Sequence, residues 1–162
     1  MEAPRSPARD IDPQVIAEGA ARAMWANDRA SKGLGMHIDA VAPGAATLSM
    51  PVRKDMLNGH DICHGGFIFA LADSAFAFAC NSYNFVTVAS GCSIDFLAPA
   101  REGDVLTARA QERSASGRTG VYDIDVTNQR GERIALFRGK SYRIKGSVMG
   151  QETPDASPLK AR

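Results

Sequence analysis

"GHDICHGGFIFALADSAFAFAC" spans residues 59–80, and from Phe67 onward its one charged residue is Asp73. Where that apolar run sits decides the fold. A bilayer span needs about 20 predominantly apolar residues, and Gly65 to Asn81 is shorter and carries a carboxylate near its middle. The run therefore reads as a buried helix that opens at Gly65.

The flanking chain says what buries it. Upstream, Asp12-Pro13 is an N-cap and first-turn pair, which predicts a helix from about Pro13 to Ala30 with Ile16, Ala20, Ala23, Met24 and Asn27 along one stripe. Gly33 and Gly35 stop it. Leu34, Met36, Ile38, Ala40 and Ala42 alternate as a strand, Pro43-Gly44 turns the chain, and Ala46, Leu48, Met50 and Val52 face one side of a second strand, completing a hairpin. Arg53 to Cys63 has no period and reads as a loop. Downstream, Phe85–Leu97, Asp104–Ser114, Thr119–Asn128 and Arg133–Lys145 are strands rich in Val, Thr, Ile, Phe and Tyr, joined by short boundaries at Pro99, Gly103, Ser116-Gly117 and Gln129-Arg130-Gly131. An apolar helix between antiparallel strands is covered all round only if the sheet curls about it. The expected class is α+β, an antiparallel sheet wrapped around a long central helix, with an extra helix at the N-terminus.

Length and charge narrow the function. At 162 residues and 44% hydrophobic, the chain suits one domain over 13–146, with disordered segments expected at 1–12 and 147–162. A formal charge of +1 supplies no field to gather nucleic acid or anionic membrane, and the first 32 residues balance five basic against five acidic groups. The N-terminal stretch lacks the basic, apolar and small-residue pattern of a secretory signal, and three cysteines without CxxC spacing make a reducing cytoplasm the expected setting rather than a disulfide framework. His60 and His64 stand four apart with Cys63 between them, but they lie in a loop, and Cys80 and Cys92 lack metal spacing; no metal is expected. Cys63 and His64 are sequence neighbours and make a poor nucleophile–base pair.

The stretches "MLNGHDICHGGFIFALADSAFAFACNS", "SIDFLAPAREGD", "GRTGVYDIDV" and "FRGKSYRI" resemble the hotdog-fold thioesterases of the phenylacetic acid degradation type, the PaaI family, over roughly Met24 to Lys145. The resemblance implies a hotdog fold, hydrolysis of an acyl-coenzyme A thioester with aryl-acetyl groups as the leading acyl class, and a tetramer built from two dimers. Coenzyme A is then part of the substrate and no separate cofactor is expected. The family's catalytic acid falls at Asp73. A hydroxyl that some members carry one helical turn after the acid is Ala77 here.

The residues themselves admit that chemistry. Thioester hydrolysis needs donors for a developing oxyanion and a group that attacks the carbonyl or activates water. At a helix start the backbone N–H groups lack intrahelical partners and sit at the positive end of the dipole, so Gly65 N–H is the oxyanion donor candidate, with His64 fixing the turn into the helix and Asn58 orienting water or carbonyl. Gly65-Gly66 equally suits close packing of helix on sheet. Asp73 is the base or nucleophile candidate, because a poorly solvated carboxylate is more basic than one in water; it equally suits a wet stripe beside Ser74. Gly65 and Asp73 are eight residues apart, about 12 Å along a helix axis, so both reach one carbonyl only if two antiparallel helices pair across a two-fold axis. The catalytic unit is then a dimer.

For the phosphates of coenzyme A, Arg101 and the turn Gly117-Arg118-Thr119 are the expected contacts, with Lys140 behind them and Ser90–Asp95 along the pantetheine. An arginine at a turn is otherwise simply solvated. Two alternatives share the residues: a hotdog hydratase or dehydratase acting on acyl thioesters, and a non-catalytic acyl-CoA sensor.

Overall fold

The computed structural model describes residues 10–150. Its elements run α1 (Pro13–Asn27), α2 (Arg29–Gly33), β1 (His37–Ala42), β2 (Ala45–Pro51), a 3-10 turn (Lys54–Met56), α3 (Gly65–Cys80), β3 (Phe85–Phe96), β4 (Val105–Ser116), β5 (Thr119–Thr127) and β6 (Arg133–Ser147). The six strands form one antiparallel sheet in the order β1-β2-β4-β5-β6-β3. The expected α+β hotdog architecture with an added N-terminal helix is what the chain adopts.

Local chemistry accounts for the boundaries. Asp12 accepts a hydrogen bond from Gln14 N–H at 2.9 Å and Pro13 occupies the first turn of α1. The single helix expected to Ala30 is two. Asp28 leaves the helical region and its carboxylate accepts from both Ser31 N–H and Ser31 Oγ, which starts α2 afresh. β1 begins three residues later than expected, because Leu34 caps α2 and Gly35 turns the chain at φ +71. A register shift between Ile38 and Ala40 also breaks the alternation, so Val41 is half-covered while Ala40 is exposed. In β2 the expected inward row Ala46, Leu48 and Met50 is buried.

At the other end β6 continues through Ser147, and Val148 and Met149 N–H groups donate to Asn84 O and Oδ1. Residues 147–150 are thus tied down, contrary to the expected start of a disordered tail. The remainder of that segment and residues 1–9 lie outside the described residues.

The core is α3 against the concave sheet. Leu71, Ala72, Ala75, Phe76 and Phe78 pack with Leu48, Met50, Leu106, Ile124, Val126 and Phe137, all essentially without solvent exposure. Gly139 lets β6 approach the Phe76 ring, which would lie 2.8 Å from a Cβ there. The expected all-round cover is not reached within one chain. Gly66, Ala70, Asp73 and Ala77, spaced three or four apart, form a stripe that stays partly open. No helix among the described residues is long and apolar enough to cross a membrane.

Candidate active site

The tip of α3 is held by its own loop. Leu57 and Cys63 form an antiparallel bridge, Cys63 N–H donates to Ala100 O and His64 N–H to Met56 O, both at 2.8 Å. His64 is the N-cap: its Nδ1 accepts from Gly66 N–H at 3.0 Å and its carbonyl accepts from Phe67 N–H. An accepting Nδ1 places the proton of a neutral ring on Nε2. Gly65 N–H is left with no acceptor among the described residues. His64 thus closes the turn, and the Gly65 amide at the positive end of the dipole has no acceptor among the described residues.

Gly65 also serves close packing, against β3. The Phe96 ring would lie 2.9 Å from a Cβ at Gly65, and Phe96 and Leu97 are each 53% exposed. Beside them is a cavity of about 590 Å³ lined by Asn58, Ile62, Cys63, Gly65, Ile68 and the segment Phe96 to Ala100. Asn58 spends its Oδ1 on His60 N–H at 2.9 Å, closing the loop turn, while its Nδ2 has no partner among the described residues. Asn58 therefore offers this cavity a donor. Burial pushes the Cys63 thiol up to about 11, so at neutral pH it is a protonated wall and not a nucleophile.

Asp73 sits two turns along the open stripe. It is half-buried, makes no hydrogen bond among the described residues, and desolvation raises its carboxyl above the ordinary aspartate value. Neither expected reading of it is complete, since it is neither fully wet nor sealed. Its neighbour is Cys92 on β3, whose thiol is pushed up by burial and then by the Asp73 charge. Cys92, Ile94 and Phe96 pair with Gly139, Phe137 and Ala135, so the three face α3. Phe96 thus lies beside Gly65 and Cys92 beside Asp73, with β3 running opposite to α3. Four strand residues cover about 14 Å, close to the ~12 Å between Gly65 and Asp73. Ser93 and Asp95 pair with Arg138 and Leu136 on the outer face, so only alternate residues of Ser90–Asp95 face this groove.

The expected coenzyme A contacts separate. Arg101 follows Ala100 near the tip of α3, its N–H bonded to Asp104. Gly117, Arg118 and Thr119 line a second cavity of about 250 Å³ with Cys80, Tyr83, Phe85 and Arg143, at the far end of the helix. About 22 Å of helix lies between the two groups. Gly117 takes φ +59, as a two-residue turn requires. Arg118 O accepts from Arg143 N–H at 2.7 Å, and the Arg143 guanidinium stacks 3.4 Å over Phe85. Neither arginine is in an ion pair among the described residues. Lys140 lies outside the lining of this cavity.

Phe96 and Arg143 escape a reading of the sequence, and Cys92 enters it as a site residue only as part of the stretch Ser90–Asp95. β3 pairs with β6, not with the strand next in sequence, which brings Phe96 beside the helix, while the β5–β6 pairing Thr119↔Tyr142 brings Arg143 to the Arg118 turn. No group of three His, Cys, Asp or Glu among the described residues is arranged to hold a metal ion.

Residues 60–135 match the thioesterase superfamily. The acyl-coenzyme A thioesterase PaaI of Escherichia coli K12 is 53% identical over 131 residues, 81% of this chain and 94% of that protein. The solved E. coli PaaI structure, from the phenylacetic acid degradation operon, superposes with a TM-score of 0.83 at 51% identity, covering 84% of this chain and 99% of that one. A Streptococcus mutans protein bound to acetyl-CoA superposes at 0.66 and 26% identity, covering 69% and 90% of the respective chains. With a central helix whose tip carries one free amide, a half-buried carboxylate two turns on, and such identity across almost all of a relative's length, the chain belongs to the thioesterase superfamily as a PaaI-type hotdog thioesterase.

Proposed function

We propose that the protein hydrolyses an acyl-coenzyme A thioester to a free acid and coenzyme A, in a homodimer where Gly65 of one protomer and the partner subunit's Asp73 meet at one carbonyl. The observation that carries this is the pairing of two unspent groups on one helix, an amide without an acceptor and a desolvated carboxylate without a donor. They are too far apart along α3 to serve one carbonyl from a single chain.

Two features support the dimer. β3 is the outer strand of the sheet, 12 residues long with one side unpaired, and next to it runs the open stripe of α3. Joining two β3 edges brings the two stripes together, and antiparallel helices that match Gly65 with Asp73 cross beside Phe69, midway between them. The same pairing sets the Arg118–Arg143 cavity of one protomer near the Asn58 loop of the other. One continuous channel then receives the acyl group at the helix tip and the phosphates at the β4–β5 turn.

In that channel the thioester oxygen accepts from Gly65 N–H, which grows stronger as the oxygen becomes an oxyanion. Asn58 Nδ2 steadies the carbonyl or the water. The carboxylate of Asp73 takes a proton from water as it adds, or adds itself to give a mixed anhydride that water opens; the coenzyme A thiolate leaves in both routes and one water is consumed. Ala77 supplies no hydroxyl, so water positioning falls to Asn58 and backbone. Arg118, Thr119 and Arg143 hold phosphate, with Arg101 at the opposite mouth.

An aryl-acetyl group such as phenylacetyl or hydroxyphenylacetyl is the favoured acyl part, by kinship with PaaI and by the uncharged lining of the larger cavity. The assembly extends to a tetramer of two such dimers, and the setting is cytoplasmic release of coenzyme A during aromatic acid breakdown. The test is thiol release from phenylacetyl-CoA by the parent and Asp73→Asn. Turnover is lost in the variant while binding of coenzyme A persists; equal turnover in both refutes the assignment.

A further inference from the structure

We infer that Phe96 is the residue that sorts aromatic from straight-chain acyl groups, by presenting its ring face next to the oxyanion donor. The inference deepens the thioesterase reading and rests on it for the position of the carbonyl.

Phe96 is the last residue of β3, and its ring lies where the side chain of Gly65 would be, 2.9–3.4 Å from a Cβ built there. That contact needs glycine at 65 and fixes one edge of the ring against the helix tip. Phe96 is nonetheless 53% exposed in the single chain and lines the cavity beside the helix tip. An acyl-CoA whose carbonyl oxygen accepts from Gly65 N–H has its first acyl carbons within reach of that ring, because amide and ring share the same residue as neighbour. Ile68, Leu97 and Pro99 continue the wall, no lining residue is charged, and Asn58 is the polar exception.

A planar acyl group two bonds from the carbonyl gains an aromatic pair with Phe96, offset or edge-to-face, beyond the area it buries. A flexible alkyl chain of similar size gains the area alone. A carboxylated acyl group meets a wall with no cation and pays its desolvation unpaired.

The assay compares phenylacetyl-CoA with hexanoyl-CoA for the parent, Phe96→Leu and Phe96→Ala, reading kcat and KM separately. Binding of the hydrolysis-resistant thioethers S-(2-phenylethyl)-CoA and S-hexyl-CoA is measured beside turnover. Phe96→Leu keeps an apolar side chain against Gly65 and is expected to lose about three- to tenfold in kcat/KM for phenylacetyl-CoA, through KM, with hexanoyl-CoA little changed; Phe96→Ala widens the difference. The thioethers follow the same order. Equal losses on both substrates, or none, overturn the role of the ring. A parent that binds both thioethers with the Phe96-dependent preference but turns over neither thioester sinks the hydrolase reading and leaves the platform standing.

Discussion

Splitting the amide and the carboxylate between protomers makes a quantitative demand on mixed dimers. Gly65→Pro removes the candidate oxyanion donor and also pushes the Phe96 ring aside, so hexanoyl-CoA is assayed beside phenylacetyl-CoA. Proline is favoured at the first helical position, His64 before it already sits at φ −60, ψ 131, the conformation a following proline prefers, and the lost N–H has no internal partner. The added ring displaces only the far end of Phe96, which is half in solvent. Loss of one such donor lowers kcat by about 10²–10³, and loss of a general base by about 10²–10⁴ in Asp73→Asn. Either homodimer is therefore nearly inactive. In a mixed dimer one site combines Gly65 with Asp73 from unaltered positions and the other combines both defects. Random exchange of equal amounts puts about half the molecules in mixed dimers with one good site of two, so activity recovers to about a quarter of the parent. The two variants, carrying different tags, are unfolded together and refolded, mixed dimers are verified by sequential capture, and thiol release from phenylacetyl-CoA and hexanoyl-CoA is followed. Captured mixed dimers no more active than the two homodimers would show that amide and carboxylate do not share a carbonyl across the interface.

Three further outcomes follow from the geometry. Because desolvation raises the Asp73 carboxyl in the folded state, the folded chain binds more protons than the unfolded one between its ordinary and raised values, and Asp73 lowers stability as pH rises through that window. Thermal melts should therefore show Asp73→Asn more stable than the parent at pH 7 and no longer so below about pH 3.9, while the acid limb of the parent's kcat/KM lies above the ordinary aspartate value; a variant less stable at pH 7 contradicts this. Arg118→Ala and Arg143→Ala should each raise KM about three- to tenfold with kcat preserved, more weakly at high salt, since both guanidiniums are free to meet phosphate. Gly139→Ala drives a methyl to 2.8 Å from the buried Phe76 ring; at about 1–3 kcal/mol for overpacking and about 2–4 °C per kcal/mol, calorimetry should record a fall of roughly 2–12 °C.

Much of this arrangement is legible before any coordinates. The apolar run after Phe67, broken by Asp73 alone, gives the central helix, the change to Val, Thr and Ile beyond Asn84 gives the four long strands, and the pair Gly65 and Asp73 emerges because helical rise is fixed. What escapes has two physical sources. One is local competition: Asp28 and Ser31 offer each other capping bonds that outweigh continuing α1, and an irregular register at Asp39 flips one strand's alternation. Hydrophobic period alone registers neither. The other is non-local: β3 crosses to the far edge of the sheet, and residues 31 apart such as Gly65 and Phe96 touch only because of it. The loop role of Asn58 was half visible, since its place beside the helix tip follows from sequence but the commitment of its carbonyl to His60 does not.

The outer border of β3 reads FVTVASGCSIDF and has one charge, Asp95, no lysine and no proline, and its interruptions are two irregularities of register, at Phe85/Thr87 and Ala89/Gly91. Under the proposed β3 pairing, a newly made chain without its mate displays an adhesive ribbon with little gatekeeping. Substitutions that loosen the pairing should then appear as insoluble protein in the pellet, and a clean, dispersed single chain would be the rarer product.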